Sequence, residues 1–210
     1  MSARRAPEEL FEGIASAEEA GELLGVVAAG QPARFEPEDI AVGEGAGWVM
    51  AAFLQGGAAR FNDVSFGAFY AAREEATAIA ETHFHYARFL AAAREEYALI
   101  GVRLLLADVA ARATDIRGSE SALPELYDPD PSRYARSQQW AAAQRAMGAD
   151  GIVYDSVRRK GGECIAIFRP RLIERCRVGD RLAYEWNGRA IAATYQLTPR
   201  DVPYKVPDKT

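Results

Sequence analysis

The stretch that decides the fold is residues 74–94, EEATAIAETHFHYARFLAAAR. Small and apolar residues recur in it at steps of three and four, which is the spacing of one face of an α-helix. Thr77, Glu81 and His85 follow one another at steps of four, so they share a neighbouring face. The pattern predicts one long helix with a polar face beside its apolar stripe. The stripe consists of Ala76, Ile79, Ala80, His83, Phe84, Ala87, Leu90 and Ala91.

Short strand candidates lie on both sides of this helix. Residues 69–72 precede it, and residues 97–109 follow it with partly alternating apolar side chains. A proline-containing loop is predicted over 114–132 and a helix over 132–147. Two strand pairs are then expected, one around the turn Lys160-Gly161-Gly162 and one around the hairpin signal Asn187-Gly188. The elements show no regular βαβ rhythm. This indicates an α+β fold with flanking helices around a mostly antiparallel sheet, which could be split.

The rest of the chain gives weaker signals. Residues 48–54 form a short apolar run that could be either strand or helix, and residues 7–29 have a helical pattern. We therefore divide the chain into an N-terminal helical extension (1–30), a main domain (31–198) and a polar tail (199–210).

Composition limits the functions that are open to the chain. It has 210 residues, of which 49% are hydrophobic, so it can bury the core of one domain. The net charge of -5 argues against a chain-wide grip on nucleic acid, and we expect no direct nucleic-acid binding. Only three of the 25 basic residues are lysines. Genomic bias explains that excess of arginine, or some arginines serve bidentate phosphate recognition.

Location can also be argued from the sequence. No run approaches the length of a membrane span, and the N-terminus does not resemble a signal peptide. The two cysteines, Cys164 and Cys176, provide neither a disulfide framework nor a zinc cluster. We therefore expect a cytoplasmic protein without a membrane partner and with reduced thiols.

Two charged residues are candidates for chemistry. Arg60 follows Gly56-Gly57, and a glycine turn lets a backbone approach a ligand closely, so the arginine could clamp a diphosphate. The alternative is a surface arginine after a turn. Glu81 could stabilise the positive charge that develops on a ribose during glycosidic cleavage. The alternative is a solvated helix face, since Glu74 and Glu75 are nearby.

Ser156 and the two histidines complete the candidates. Ser156 follows a strand and could bind a nicotinamide amide or a ribose, or it is an ordinary strand-end serine; no nucleophile elbow surrounds it. His83 and His85 stand two residues apart on a helix and form a poor metal pair, so we predict no metal site. His83 falls in the apolar stripe and is expected in the core, whereas His85 is the better site candidate.

The candidates fall within ordered motifs that resemble the RES-domain toxins of bacterial toxin–antitoxin pairs, named after an Arg–Glu–Ser set. The resemblance covers roughly residues 31–175. One additional alanine separates the glycine pair from Arg60, and Phe35 stands where tyrosine is common, so a hydroxyl is missing there. The motifs are GGAARFN (56–62), FYAA (69–72), TAIAE (77–81), GIVYDSVR (151–158), GG (161–162) and AIF (166–168).

The resemblance implies roles for individual residues. Arg60, Glu81 and Ser156 look like the family's catalytic set. Tyr70 looks like a further residue of the NAD site, and Thr77 corresponds to a position that is often serine. Arg34 looks like part of an early Arg–aromatic pair. The implied binding set is Arg34, Arg60, Tyr70, Thr77 and Ser156.

The resemblance also implies an activity. The fold should be similar to that of ADP-ribosylating toxins, and NAD+ should be a substrate rather than a cofactor, cleaved at the nicotinamide–ribose bond. The acceptor could be water or phosphate, as in a glycohydrolase or phosphorylase, or a protein, as in an ADP-ribosyltransferase. A catalytically silent interaction module is a third alternative, against which the four site residues argue. The implied partner is an antitoxin with a helix-turn-helix domain, and a homodimer is an option.

Overall fold

The computed structural model describes residues 39–55 and 57–198. Arg34, the helix predicted over 7–29 and the polar tail after Pro199 lie outside the described residues. The helices are α1 (Ala46–Leu54), α2 (Glu75–Ala93) and α3 (Ala135–Ala146). The strands are β1 (Phe69–Ala72), β2 (Ala98–Val109), β3 (Ala113–Asp115), β4 (Gly151–Asp155), β5 (Glu163–Ile167), β6 (Ile173–Trp186) and β7 (Ile191–Leu197).

The strands form two separate sheets. The first has the order β1-β5-β4-β3, with antiparallel neighbours except for the parallel pair of β3 and β4. The second has the order β2-β6-β7 and is antiparallel throughout. The predicted α+β fold with a mostly antiparallel, split sheet is confirmed.

The core lies in three apolar clusters. The largest joins one face of the first sheet to α3 and to the segment before β1, and it includes Phe61, Ile152 and Phe168. The second packs α1 against β1, β5 and β6 around Phe53 and Phe69. The third, around Val102, Leu182 and Tyr184, places the second sheet against α2. Helix α2 therefore reaches from one sheet to the other, and this position makes it one wall of the site.

The predicted apolar stripe of α2 does not coincide with its buried face. The buried residues are Thr77, Thr82 and Leu90. Thr82 can be buried because its hydroxyl donates to the carbonyl of Ala78 at 2.9 Å and also lies 2.9 Å from the hydroxyl of Tyr184. Satisfied hydroxyl groups can occupy positions that hydrophobicity alone would assign to apolar side chains.

The prediction that His83 is buried in the core is wrong. Its ring is half-buried, and its Nε2 lies 2.8 Å from Oγ1 of Thr194 on β7. The ring also packs edge-on against Tyr184, with the centroids 4.5 Å apart. The partial loss of solvent lowers the pKa of His83. This histidine therefore fastens α2 to the second sheet at its rim.

The other predicted elements follow the sequence closely. The ambiguous run over 48–54 is part of helix α1, and the loop predicted over 114–132 contains the end of β3 and two 3-10 turns. The hairpin around Asn187-Gly188 is confirmed, with Gly188 at a φ of 87°. None of the described helices combines the length and the apolarity needed to cross a membrane.

Candidate active site

One row of side chains on α2 faces the turn between β4 and β5. Residues spaced by three and four lie above one another on a helix, so Thr77, Glu81 and Phe84 form a continuous line. Each of them contacts the turn over 156–162, and Glu74, the residue before α2, extends the line. The sequence creates this line through helical spacing alone, and the β4–β5 hairpin supplies its partner.

The shortest contact in this wall joins Ser156 to Glu81. The Ser156 hydroxyl donates to Oε1 of Glu81 at 2.6 Å. The same hydroxyl oxygen accepts the backbone N–H groups of Arg158 and Arg159, each at 3.1 Å. These two donors fix the serine oxygen and direct its proton to the carboxylate. Ser156 is only 9% exposed, whereas Glu81 is half-buried.

Thr77 holds the same turn from below. It is 0% exposed, and its hydroxyl accepts from Nη1 of Arg159 at 3.1 Å. The same Nη1 donates to Glu74 at 2.7 Å. A Cβ on Gly162 would lie 2.6 Å from the threonine hydroxyl, so the turn can pack this closely only with glycine there. In the described contacts Thr77 binds the turn, and its predicted role toward NAD+ stays a prediction.

Two neutral acids lie behind the Ser156–Glu81 pair. The Cys164 thiol donates weakly to Oε1 of Glu81 at 3.8 Å. Burial, and then the charge of Glu81, raises the pKa of the thiol to about 12. Burial likewise raises the pKa of Tyr154 well above its ordinary value. Both groups therefore keep their protons at neutral pH. Among residues 39–55 and 57–198, no cluster of side chains could hold a metal ion.

Arg60 is buried, with 6% of its surface exposed. Its Nη1 donates to the carbonyl of Leu126 at 2.8 Å, and its Nη2 donates to the hydroxyl of Tyr134 at 3.0 Å. The guanidinium also lies over the Tyr134 ring, 4.4 Å from the centroid. Arg60 thus connects the turn after the glycine pair to the segment over 124–134.

Tyr70 holds the Arg60 turn in place. Its hydroxyl accepts the backbone N–H of Phe61 at 2.8 Å and donates to Oδ1 of Asn62 at 2.9 Å. Asn62 in turn donates to the carbonyls of Gly57 and Phe66. Burial raises the pKa of Tyr70. The phenol is therefore a neutral hydrogen-bonding group beneath the turn.

Tyr154 connects the surroundings of the site candidates. Its ring packs on Phe61, the residue after Arg60, with the centroids 4.9 Å apart, and, besides burial, the charge of Glu81 helps to raise the pKa of its phenol. Ser156 follows two residues later on the same chain segment. His85 is exposed at the edge of this group; partial desolvation lowers its pKa, and the charge of Glu81 opposes that lowering. An open cavity of about 450 Å³ lies elsewhere, between the end of α2 and the β6–β7 hairpin.

Two contributors were missed by the sequence reasoning. Tyr134 accepts from Arg60 and lies 3.5 Å from Nη2 of Arg158, so one phenol oxygen joins two arginines. Phe84 carries the guanidinium of Arg158 on its ring, 3.3 Å from the centroid. The spacing from Glu81 to Phe84 could have indicated the second contact, but nothing around Tyr134 in the sequence indicates the first.

The family model described as the RES domain matches residues 29–187, which is most of the chain. The protein belongs to the RES-domain family. The match extends beyond residue 175, where the resemblance noted in the sequence ended. A search of curated proteins found no match.

Proposed function

We propose that this protein consumes NAD+ by cleaving the bond between nicotinamide and ribose. The observation that carries the proposal is the Ser156–Glu81 contact of 2.6 Å, with Ser156 fixed from behind by two backbone N–H groups. A carboxylate held this firmly is aimed before any substrate arrives. Preorganised charge of this kind is the largest single contribution in many enzymes.

The chemistry needs an anion beside the ribose. As the C1′–N bond lengthens, its electron pair leaves with nicotinamide, which departs as a neutral molecule, and positive charge develops on the sugar ring. Both described donors to Glu81, Ser156 and Cys164, contact Oε1. The second oxygen, Oε2, accepts no hydrogen bond from the described residues and can face the ribose. Ser156 then acts by orienting Glu81 and needs no nucleophilic role.

The acceptor defines the reaction class. Attack of water at C1′ would give ADP-ribose, and attack of phosphate would give ADP-ribose 1″-phosphate; in each case a new C1′–O bond forms and the oxygen releases a proton. We propose one of these two outcomes, with transfer to a protein side chain as the alternative. Arg34, Tyr70, Thr77 and Ser156 remain proposed binding residues, and we propose that Arg60, with its fixed protein partners, positions the wall of the site.

Product analysis tests this function directly. Purified protein is incubated with NAD+ in the presence and absence of phosphate, and the products are separated by chromatography and identified by NMR. We expect free nicotinamide with ADP-ribose or its phosphate, and we expect neither from the Glu81→Gln protein. Labelled NAD+ that is incorporated into protein would favour the transferase alternative. Intact NAD+ under all conditions would contradict the proposed activity and favour the third alternative, a catalytically silent interaction module.

The family relation also suggests a setting in the cell. We propose a cytoplasmic toxin whose cognate antitoxin carries a helix-turn-helix domain, and a homodimer is a further option. Co-expression with the neighbouring open reading frame, followed by purification and light scattering, tests both proposals. Growth arrest that the neighbouring gene relieves would support the pairing.

A further inference from the structure

We propose that Arg158 binds the diphosphate of the dinucleotide from a platform formed by Phe84, and that Arg60 is a positioning residue that holds the wall behind it. This inference rests on the proposed function and adds a residue to it. The sequence motifs assign the diphosphate clamp to Arg60, whereas the contacts in the structure favour Arg158.

The contacts of Arg60 argue against a direct grip on substrate. Its guanidinium is buried, both terminal nitrogens have fixed protein partners, and one face covers Tyr134. A phosphate could replace these partners only if the carbonyl of Leu126 lost its donor in a buried place. An unsatisfied buried acceptor is costly, so such an exchange is disfavoured.

The contacts of Arg158 leave its terminal nitrogen Nη1 without a partner among the described residues, whereas both terminal nitrogens of Arg60 have one. A guanidinium has five N–H donors, and the described contacts of Arg158 use only Nη2, toward the carbonyl of Pro129 and, at 3.5 Å, the hydroxyl of Tyr134. Its buried Nε has no hydrogen-bond partner among the described residues. The side chain is half-buried and lies flat on Phe84. Stacking fixes the plane of the fork, which is what bidentate phosphate recognition needs.

The position of Arg158 also matches the order of groups in the substrate. In NAD+ the nicotinamide ribose is joined to the diphosphate through its 5′ carbon, so the anion lies one sugar away from the bond that breaks. The backbone N–H of Arg158 contacts Ser156, which contacts Glu81. The Arg158 guanidinium lies on Phe84, three residues after Glu81 on α2, so a ligand with its ribose at Glu81 and its phosphates along this helix face would reach it.

The test compares three lysine variants in binding experiments. Arg158→Lys and Arg60→Lys keep the charge and lose the planar fork. Arg133→Lys is the matched control, because Arg133 directly precedes Tyr134 in the chain but has a side chain that is 72% exposed. Calorimetry measures the affinity for ADP-ribose, which carries the diphosphate, and for nicotinamide riboside, which has no phosphate. Wild-type protein is measured with both ligands and with NAD+.

We expect Arg158→Lys to weaken ADP-ribose binding about tenfold or more, in line with the loss of a hydrogen bond to a charged group. Nicotinamide riboside should bind as in wild type, and Arg133→Lys should match wild type with both ligands. Arg158→Lys protein that binds ADP-ribose as tightly as the Arg133→Lys control would overturn this inference alone. Wild-type protein that binds neither NAD+ nor ADP-ribose would overturn the proposed function as well.

A second variant covers the case in which Arg158→Lys does not fold. Phe84→Leu removes the platform and keeps the guanidinium, so it should weaken ADP-ribose binding several-fold and leave nicotinamide riboside unaffected. Unchanged ADP-ribose affinity in a folded Phe84→Leu protein would contradict the role of the platform. Arg60→Lys should lower the melting temperature and weaken the binding of both ligands. A loss of ADP-ribose affinity alone, at unchanged melting temperature, would identify Arg60 as the diphosphate clamp.

Discussion

The two walls of the site are built in different ways. The acidic wall consists of α2 and the turn over 156–162, and its side chains contact each other directly, as in the pairs Ser156–Glu81 and Arg159–Thr77. The arginine wall consists of Arg60 and Arg158 with the groups that hold them, which are the carbonyls of Leu126 and Pro129 and the hydroxyl of Tyr134. There the guanidinium groups donate to backbone carbonyls of irregular chain, those of Leu126 and Pro129.

This difference separates two kinds of effect. In the acidic wall a short contact between two regular elements leaves the carboxylate little freedom, so substitutions should alter the chemical step. In the arginine wall each guanidinium is held by backbone carbonyls and a phenol rather than by a carboxylate, so substitutions should alter stability and ligand affinity. Variants of the acidic wall should therefore change kcat, and variants of the arginine wall should change stability or affinity. The opposite pattern would contradict this comparison.

The largest effect is expected from Glu81→Gln. The amide keeps the shape of the side chain but removes the charge that stabilises the transition state, so kcat should fall about a hundredfold or more while KM changes little. Steady-state nicotinamide release measures both constants. Glu75→Gln is the matched control, because Glu75 lies on the same helix and is exposed. Near-normal turnover of Glu81→Gln protein would remove Glu81 from the mechanism.

Arg60→Lys should have the next largest effect, and on stability. A lysine cannot reach both Leu126 and Tyr134, so at least one buried polar group loses its partner, and the free energy of unfolding should fall by about 2 kcal/mol. Urea unfolding measures this change. The activity should also fall, because the charge of lysine does not replace the planar guanidinium. Full stability of this variant would contradict the positioning role of Arg60, and full activity would show that Arg60 supplies only positive potential to the site.

Ser156→Ala should reduce kcat about tenfold, since it removes a hydrogen bond to a charged group but leaves the carboxylate in place. The effect should be smaller than that of Glu81→Gln, because Ser156 acts through Glu81. Ser121→Ala, at an exposed position, is the control. A loss as large as that of Glu81→Gln would point to a direct contact between Ser156 and substrate.

The smallest effect concerns the thiol behind Glu81. Because burial holds the pKa of Cys164 near 12, the folded protein keeps this proton where an unfolded chain, with a thiol pKa near 9, releases it. Stability should therefore be complete below about pH 8 and decrease as the pH rises above 9. Unfolding of wild type and Cys164→Ala at pH 7.5 and 9.5 measures this difference. Equal pH dependence in the two proteins would contradict the burial argument.

The sequence was sufficient for the regular elements near the site. The spacing in residues 74–94 predicted α2, and the hairpin turns at Gly161 and Asn187-Gly188 predicted two strand pairs. These features depend on local backbone preferences, which a short window of sequence contains. The motif order assigned Glu81 and Ser156 to one predicted site, and their direct contact at 2.6 Å is a finding of the structure.

The arginine wall could not be predicted in the same way. Arg60 reaches Leu126 and Tyr134 across 66 and 74 residues of chain, and no periodicity records such a contact. The error over His83 has a related cause. The prediction from an apolar stripe assumes that the helix packs against one apolar surface. Helix α2 instead contacts the turn over 156–162 on one side and the second sheet on the other, and two of its buried residues are threonines.

The order of strands in the first sheet has a consequence for the timing of assembly during synthesis. The hairpin of β4 and β5 inserts between β1 and β3, so the two central strands are the last to be translated. A ribosome-bound chain that ends before residue 151 carries Glu81 on its helix but has neither Ser156 nor a neighbour for β1. Because non-local pairing must wait for both partners, the first sheet and the Ser156–Glu81 contact can form only after the β4–β5 hairpin has emerged.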